Sequence, residues 1–308
     1  MAALNPTKAL DYKLLQQFGS LELLAKQIVE GFIVGLHKSP FHGFSVEFSE
    51  HRLYNKGEST KHIDWKLYAR TDKLFVKKYE EETNLRCHII LDTSSSMYYP
   101  GSERNKMLFS VYAAASIVHL LKKQRDASGL ALFSDKLEDF LPARSSNTHI
   151  QLLYAKLEEH MARPKEAKVT AAADAIHQIS EIIHKRSLVV IFSDMMDSDD
   201  KVDKLFASLQ HLKYNKHEVL LFHTIDKDSE LDFNFSNHPR KFVDMETGAV
   251  VKAYPADVKE QYMNYITNFR KKLMLKCAQY EIDFVEADIS KGFSQILQPF
   301  LIRRSKMM

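Results

Sequence analysis

From residue 86 onward, the sequence alternates short apolar runs with stretches that repeat apolar residues at helical spacing. Uninterrupted apolar runs are typical of strands buried on both faces. Stretches that repeat apolar residues every three or four positions are typical of amphipathic helices. The alternation predicts an α/β fold in which a mostly parallel sheet is flanked by helices, with 137–140 as an antiparallel edge strand. The predicted strands are 88–91, 129–133, 188–192, 219–222 and 282–285, and the predicted helices are 108–121, 172–183, 202–212 and 258–273.

The chain before this region has a different pattern. Residues 7–36 carry apolar side chains at helical spacing, with a break near residue 20, and glycine- and phenylalanine-rich extended sequence follows. We therefore predict that residues 1–84 form a helical and extended segment that packs on a main domain at 85–308. Two short apolar stretches around a Thr-Gly turn predict a small hairpin insert near 226–254.

Asp92, Ser94 and Ser96 follow the first apolar run directly, in the pattern Asp-x-Ser-x-Ser. A loop at the carboxyl end of a strand lies at the sheet edge where open α/β folds bind ligands. One carboxylate and two hydroxyls on alternate positions of a tight loop supply hard oxygen ligands, which suit Mg²⁺ or Mn²⁺. The same residues could instead cap the next helix, because Asp and Ser are favoured N-cap residues.

Two further oxygen-bearing side chains are predicted to reach this edge. Asp194 follows the apolar run 188–192, so it should end a parallel strand on the same side as Asp92. Thr170 precedes the helix that leads into this strand, and Thr148, also before a helix, is the competing candidate. Asp194 and Thr170 could also serve only as helix caps. If all five oxygens meet, they would neutralise a dication and leave one coordination position for an acidic side chain of a partner protein.

Composition restricts the functional classes. The 43 basic and 40 acidic residues give a formal net charge of +3, which makes no electrostatic case for nucleic-acid binding. Cys87 and Cys277 are too few for a disulfide scaffold and are predicted to be buried in a reduced compartment. The uncharged stretch 107–121 is shorter than the roughly 20 residues of a membrane span. Because Met1 to Lys8 also lacks the features of a signal peptide, we expect a cytoplasmic protein without stable membrane insertion.

The candidate site residues resemble the metal-ion-dependent adhesion site of von Willebrand factor A-type domains. By this resemblance, the ligands of Mg²⁺ would be Asp92, Ser94, Ser96, Thr170 and Asp194. The family usually has Gly-Gly-Thr and Thr-Asp-Gly at the last two positions, where this chain has Lys-Val-Thr and Ser-Asp-Met.

The segment before Asp92 is similar to bacterial domain-of-unknown-function family 58, whose members carry an A-type domain. Stretches 242–248 and 297–304 also match, so the resemblance covers nearly the whole chain, although Gly57 is followed by Glu where the family usually has Asp. The resemblance implies a non-enzymatic, chaperone-like assembly or maturation factor that acts with a MoxR-type AAA+ ATPase. The matching residues in the N-terminal segment are Glu47, Arg52, Gly57, Asp64, Trp65, Arg70, Tyr79 and Glu80.

Two other functions stay open on sequence alone. The chain has no phosphate loop, nucleophile elbow or dinucleotide fingerprint, but a Mg²⁺ ion with an open position could polarise a phosphoryl oxygen in a hydrolase. Residues 61–79 interleave aromatic and basic side chains, as nucleic-acid surfaces do, although nearby acidic residues could pair with these cations. We interpret Asp64, Trp65 and Arg70 as residues that brace the N-terminal segment.

Overall fold

A computed structural model of the chain describes residues 12, 15, 19–37, 51–53, 65–77, 85–162, 172–196 and 202–307. The chain divides into two compact units, one formed by Met1–Gly35 together with Leu85–Met308 and the other by Leu36–Asn84. The larger unit therefore includes the helix near the N-terminus as well as everything after residue 84.

After residue 85, the described residues form a mixed series of strands and helices, with two pairs of consecutive strands and one pair of consecutive helices. A 3₁₀ turn at Ser95–Tyr98 and a π turn at Lys227–Leu231 each follow a strand. In chain order, the helices and strands are α1 (Leu21–His37), β1 (His51–Leu53), α2 (Trp65–Thr71), β2 (Phe75–Lys77), β3 (Arg86–Asp92), α3 (Lys106–Lys123), β4 (Ala127–Phe133), β5 (Leu137–Arg144), α4 (Asn147–Ala162), α5 (Ala172–Ile182), β6 (Leu188–Ser193), α6 (Val202–Tyr214), β7 (Glu218–Ile225), β8 (Arg240–Val243), β9 (Val250–Ala253), α7 (Pro255–Gln279), β10 (Asp283–Asp288) and α8 (Ser294–Ser305).

A six-stranded sheet in the order β10-β7-β6-β3-β4-β5 forms the centre of the larger unit. Its neighbouring strands are parallel except for β4 and β5, which are antiparallel. The strand order reverses at β3, because β4 lies on one side of it and β6 on the other. Open α/β sheets bind ligands in the crevice at such a switch point, outside the carboxyl ends of the strands. The predicted α/β fold with an antiparallel edge strand is confirmed.

The sheet is buried on both faces, which explains why its central strands are continuous apolar runs. On one face, α3 and α8 meet where the rings of Phe109 and Phe293 stack with centroids 5.1 Å apart. On the other face, the apolar stripes of α5, α6 and α7 join one core cluster with β6 and β7. Every residue of α3 from Lys106 to Leu121 is buried, so its uncharged sequence reflects enclosure within the protein. Within the described ranges, no helix is both long enough and apolar enough to cross a membrane.

Polar contacts fix α1 within the larger unit. The backbone N–H of Leu21 donates to Glu158 at 2.8 Å, and Glu22 accepts from Lys122 at 2.7 Å and from Gln151 at 2.8 Å. Residues 19 and 20 form a bend before α1, where the sequence predicts a break.

In the smaller unit, β1 pairs antiparallel with β2, with Arg52 opposite Val76. The helix α2 lies between these strands in the sequence. Of residues 73–79, which the sequence predicts as a half-exposed strand, the described strand covers Phe75–Lys77.

The last strand of the sheet is offset from its predicted position at 282–285, because it runs from Asp283 to Asp288. Ile282 is buried before the strand, and its N–H donates to the carbonyl of Cys277 at 2.8 Å. The second half of β10 contains acidic residues, including Glu286, which pairs with a helix arginine, so a search for apolar runs passes over it. Within 226–254, β8 pairs antiparallel with β9, with Arg240 opposite Ala253.

Candidate functional site

The strand β3 brings Asp92 to the carboxyl edge of the sheet, beside the switch point. Asp92 is completely buried, and its Oδ1 accepts the N–H of Ser94 at 2.9 Å. Thr93 fixes the loop to the neighbouring strand, because its N–H and its hydroxyl both donate to the carbonyl of Phe133, at 2.7 and 2.8 Å. The 3₁₀ turn that follows places Ser94 Oγ 3.0 Å from Ser96 Oγ.

Residues 92–96, which we call the serine loop, do not cap a helix. Ser94 precedes the 3₁₀ turn, but its side chain makes no capping hydrogen bond. The next α-helix, α3, is capped by Asn105, whose side chain accepts the N–H of Leu108 at 2.7 Å. Asp92, Ser94 and Ser96 therefore do not cap α3, and the capping interpretation is wrong for this helix. Their side chains lie at the carboxyl edge of the sheet.

Asp194, directly after β6, joins the same cluster. Ser193 Oγ donates to Asp92 Oδ2 at 2.6 Å, which links the ends of the two strands. The hydroxyl of Ser96 also acts to lower the pKa of the Asp194 carboxylate. The structure thus brings together Asp92, Ser94, Ser96 and Asp194, which the sequence had placed at one edge.

The turn after Asp194 is strained. Met195 has φ of +51°, a backbone conformation that residues other than glycine rarely adopt, and its side chain is completely buried. Its N–H donates to Ser193 Oγ at 2.8 Å, and the N–H of Met196 donates to Asp194 Oδ1 at 3.3 Å. The first bond ties the turn to Ser193, and the second is accepted by the Asp194 carboxylate itself. Met195 occupies the position where A-type domains usually have glycine.

The electrostatics of the cluster are unusual because both carboxylates are buried. Burial, together with the negative charge of Asp194, raises the pKa of Asp92 to about 7, despite hydrogen bonds from Ser193 and Ser94. Burial also acts to raise the pKa of Asp194, but the Lys106 ammonium outweighs it and holds this pKa below its ordinary value. Asp92 is therefore the carboxylate without a cation of its own.

Sequence reasoning missed two residues of the cluster, Lys106 and Glu230. Lys106 begins α3, and its buried Nζ donates to Asp194 Oδ2 at 2.7 Å and to Glu230 Oε1 at 2.6 Å. Glu230 lies in the π turn after β7. Burial raises the pKa of Glu230, although the Lys106 ammonium acts in the opposite direction. One sequence signal was available for Lys106, since it is a single charge at the start of a helix that is otherwise uncharged up to its end.

Thr170 lies outside the described residues. The helix that follows it, α5, begins at Ala172, which is buried in the same core cluster as Phe133 and Met195.

The competing candidate, Thr148, lies at the opposite edge of the sheet. It is exposed near the start of α4, and the ring of the next residue, His149, hydrogen-bonds to the carbonyl of Ser128 at 3.0 Å. Ser128 lies near the amino end of β4, whereas Asp92 lies opposite Phe133 at the carboxyl end. Thr148 therefore cannot join the cluster, because the intervening strand β5 runs back across the sheet.

The predicted motif residues of the N-terminal segment are only partly described. Arg52 lies in β1, Trp65 begins α2, and Arg70 is exposed in the last turn of α2. Their bracing role stays a prediction. Outside the described residues lie Glu47, Gly57, Asp64, Tyr79 and Glu80.

The donor set of the cluster fits a hard dication. Asp92, Asp194 and Glu230 are three buried or largely buried carboxylates, and Lys106 supplies one ammonium, which leaves two negative charges when all are ionised. Burial is the main cause of the raised pKa values of Asp92 and Glu230, and the negative charge of Asp194 acts in the same direction. Across the described residues, no three or more His, Cys, Asp or Glu side chains are grouped to hold a metal ion. An ion at this edge would therefore depend on hydroxyl oxygens as well as carboxylates.

A sheet in this strand order, with an Asp-x-Ser-x-Ser loop at its switch point, is a doubly wound, Rossmann-like α/β domain, which is consistent with the resemblance to von Willebrand factor A-type domains. The chain belongs to the family described as "Protein of unknown function DUF58", whose model matches residues 50–271.

Uncharacterized proteins from Mycobacterium bovis and Mycobacterium tuberculosis are 27% identical to this chain over 222 residues, which cover 72% of it and 68% of each relative. Among solved structures, the chain is similar to the conserved hypothetical protein BatB from Bacteroides thetaiotaomicron, with 14% identity, a TM-score of 0.44 and coverage of 72% of this chain and 98% of that one. It is also similar to a von Willebrand factor type A protein from Catenulispora acidiphila, with 16% identity, a TM-score of 0.34 and coverage of 59% and 42%.

Proposed function

We propose that the protein is a non-enzymatic, metal-dependent protein-binding module. In this proposal, Asp92, Ser94, Ser96 and Asp194, together with Thr170, hold Mg²⁺ or Mn²⁺ at the switch point of the sheet. The observation that carries the proposal is the meeting of oxygen-bearing side chains from two adjacent strands, joined by the 2.6 Å bond from Ser193 to Asp92.

The residues of the site have distinct roles in this proposal. Asp92 supplies the charge that lacks a cation in the described structure, and Ser94 and Ser96 supply neutral oxygens. When bound, the dication would offer a free coordination position to a carboxylate oxygen of the partner. Ser96 and Met196 are half-buried whereas Asp92 and Ser94 are enclosed, so the approach to the site is on the side of Ser96 and Met196.

For the partner, we propose a MoxR-type AAA+ ATPase, with which the protein would act as a chaperone-like assembly or maturation factor. The resemblance of the motifs to family 58 supports this choice, and the family assignment agrees with that resemblance. We further propose a cytoplasmic location, because Cys87 and Cys277 are free, buried thiols, as a reducing compartment allows.

The test is retention of the purified MoxR-type ATPase of the same organism on immobilised protein, with Mg²⁺ present throughout so that the ATPase keeps its own metal. Asp92→Asn keeps the size of the side chain and removes its charge, so retention should fall by at least about tenfold. Asp203→Asn is the matched control, since the side chain of Asp203 is 90% exposed on α6, and it should retain the ATPase like the wild type.

Thermal unfolding of both variants establishes that they are folded. Equal retention by wild type and Asp92→Asn would overturn the metal-dependent contact. Failure of the wild type to retain the ATPase would overturn the choice of partner.

A further inference from the structure

Lys106 occupies a position that is unfavourable for a cation. Its side chain is 1% exposed, so the ammonium has lost nearly all contact with water. It is also the first residue of α3, where the helix dipole presents partial positive charge. Since Asn105 already caps this helix, Lys106 is not needed for its start. The carboxylates of Asp194 and Glu230 both accept hydrogen bonds from Lys106 Nζ, and their negative charge compensates for this unfavourable position.

Glu230 holds the ammonium from a second element. Its Oε1 accepts from Lys106, and its Oε2 accepts the N–H of Asp226 at 2.7 Å, which fixes the carboxylate in the π turn. The nearby Asp226 is already paired with Arg104 at 2.7 Å and accepts from Ser229 at 2.6 Å. Because Asp226 pairs with Arg104, Glu230 is left to pair with Lys106. The Lys106 ammonium is therefore shared between Asp194 of the candidate metal site and Glu230 of the π turn.

We propose that Lys106 is a tethered cation that competes with the divalent metal for Asp194 and so sets the metal affinity of the site. This inference depends on the proposed function, because it concerns the same site. With the metal absent, the ammonium neutralises Asp194. With the metal present, the ammonium is held by Glu230 alone, so metal binding is coupled to the π turn.

Calorimetric titration with Mg²⁺ tests the competition. Lys106→Met keeps the length of the side chain and removes the charge, and the dissociation constant for Mg²⁺ should fall at least about fivefold, a small value for coupling between sites. Lys106→Gln, which can still hydrogen-bond to the carboxylates, should change the constant in the same direction and serves if the Met variant does not fold. Lys156→Met is the matched control, because Lys156 on α4 pairs with Asp139 of β5 and with Glu159. This variant should bind Mg²⁺ like the wild type.

Glu230→Gln separates competition from a general change of charge. Without Glu230, the ammonium is held by Asp194 alone, so Mg²⁺ should bind more weakly than to the wild type. In the Lys106→Met background, the same substitution should have little effect, because there is no ammonium to release. An equal weakening in both backgrounds would show that Glu230 acts only through its charge and would overturn the competition.

The outcomes for the inference and for the proposed function are distinct. If the wild type binds Mg²⁺ and neither Lys106 variant binds it more tightly, the inference falls and the proposed metal site stands. If only the Lys106 variants bind Mg²⁺, the inference is supported, since the ammonium then takes the place of the metal, and the metal-dependent function falls. If neither wild type nor variants bind Mg²⁺, both are overturned.

Discussion

At the scale of single residues, the site combines buried charge with a strained backbone. Asp92 and Asp194 lie within one hydrogen-bonded cluster, and the residue that turns the chain after Asp194 has a left-handed backbone conformation. Strain of this kind persists only where surrounding contacts enforce it, and it is concentrated at binding sites. In Met195, the contacts are those of a completely buried side chain in the core.

Met195 provides a test of this strain. Met195→Ala should destabilise the protein by about 2–5 kcal/mol, because it leaves a cavity. Met195→Gly removes still more side chain, yet it should be more stable than the Ala variant by about 1 kcal/mol, because glycine adopts φ of +51° without a Cβ penalty. Urea unfolding of the three proteins measures the difference. An Ala variant more stable than the Gly variant would show that the turn relaxes and stores no strain.

At the scale of elements, the last helix is attached to the sheet by a buried ion pair. Arg304 Nε on α8 donates at 2.8 Å to Asp126, whose side chain is completely buried just before β4. Burial raises the pKa of Asp126 even though Arg304 acts to lower it. The carboxylate therefore depends on the guanidinium for its charge.

Arg304→Met should destabilise the protein by about 3–5 kcal/mol, since it leaves the Asp126 carboxylate buried without its cation. Adding Asp126→Asn should restore part of the loss, because the remaining polar group is then neutral. Chemical unfolding of the two single variants and the double variant at neutral pH forms the cycle. If the single Arg304 variant were within about 0.5 kcal/mol of the wild type, the ion pair would not anchor α8.

At the scale of the whole molecule, the architecture could be predicted because strands buried on both faces leave a strong apolar signal. The four central runs and the helices between them follow this rule. The rule fails for β10 because the second half of this strand contains Glu286 and Asp288. Glu286 pairs with Arg270 on α7. It also leaves α8 unpredicted, because Pro299 lies inside that helix, although Ile296, Leu297, Phe300 and Leu301 are buried at helical spacing.

The site could be predicted only in part, for a different reason. Asp92 and Asp194 follow recognisable strands, so parallel topology alone places them at one edge. Lys106 and Glu230 reach the cluster from a helix start and a π turn, 124 positions apart in the chain. No periodicity or spacing specifies such a contact, because it depends on how α3 and the turn after β7 pack in three dimensions.

In the proposed function, oxygens from separate segments of the chain surround one divalent cation. Anomalous X-ray diffraction from crystals of the protein soaked in Mn²⁺ locates such an ion directly. We expect an anomalous peak within coordination distance of Ser94 Oγ and Ser96 Oγ, with Thr170 on the same side and Asp92 adjacent, and loss of this peak in Asp92→Asn. Crystals with no peak at the serine loop, or with a peak that persists unchanged in the variant, would contradict it.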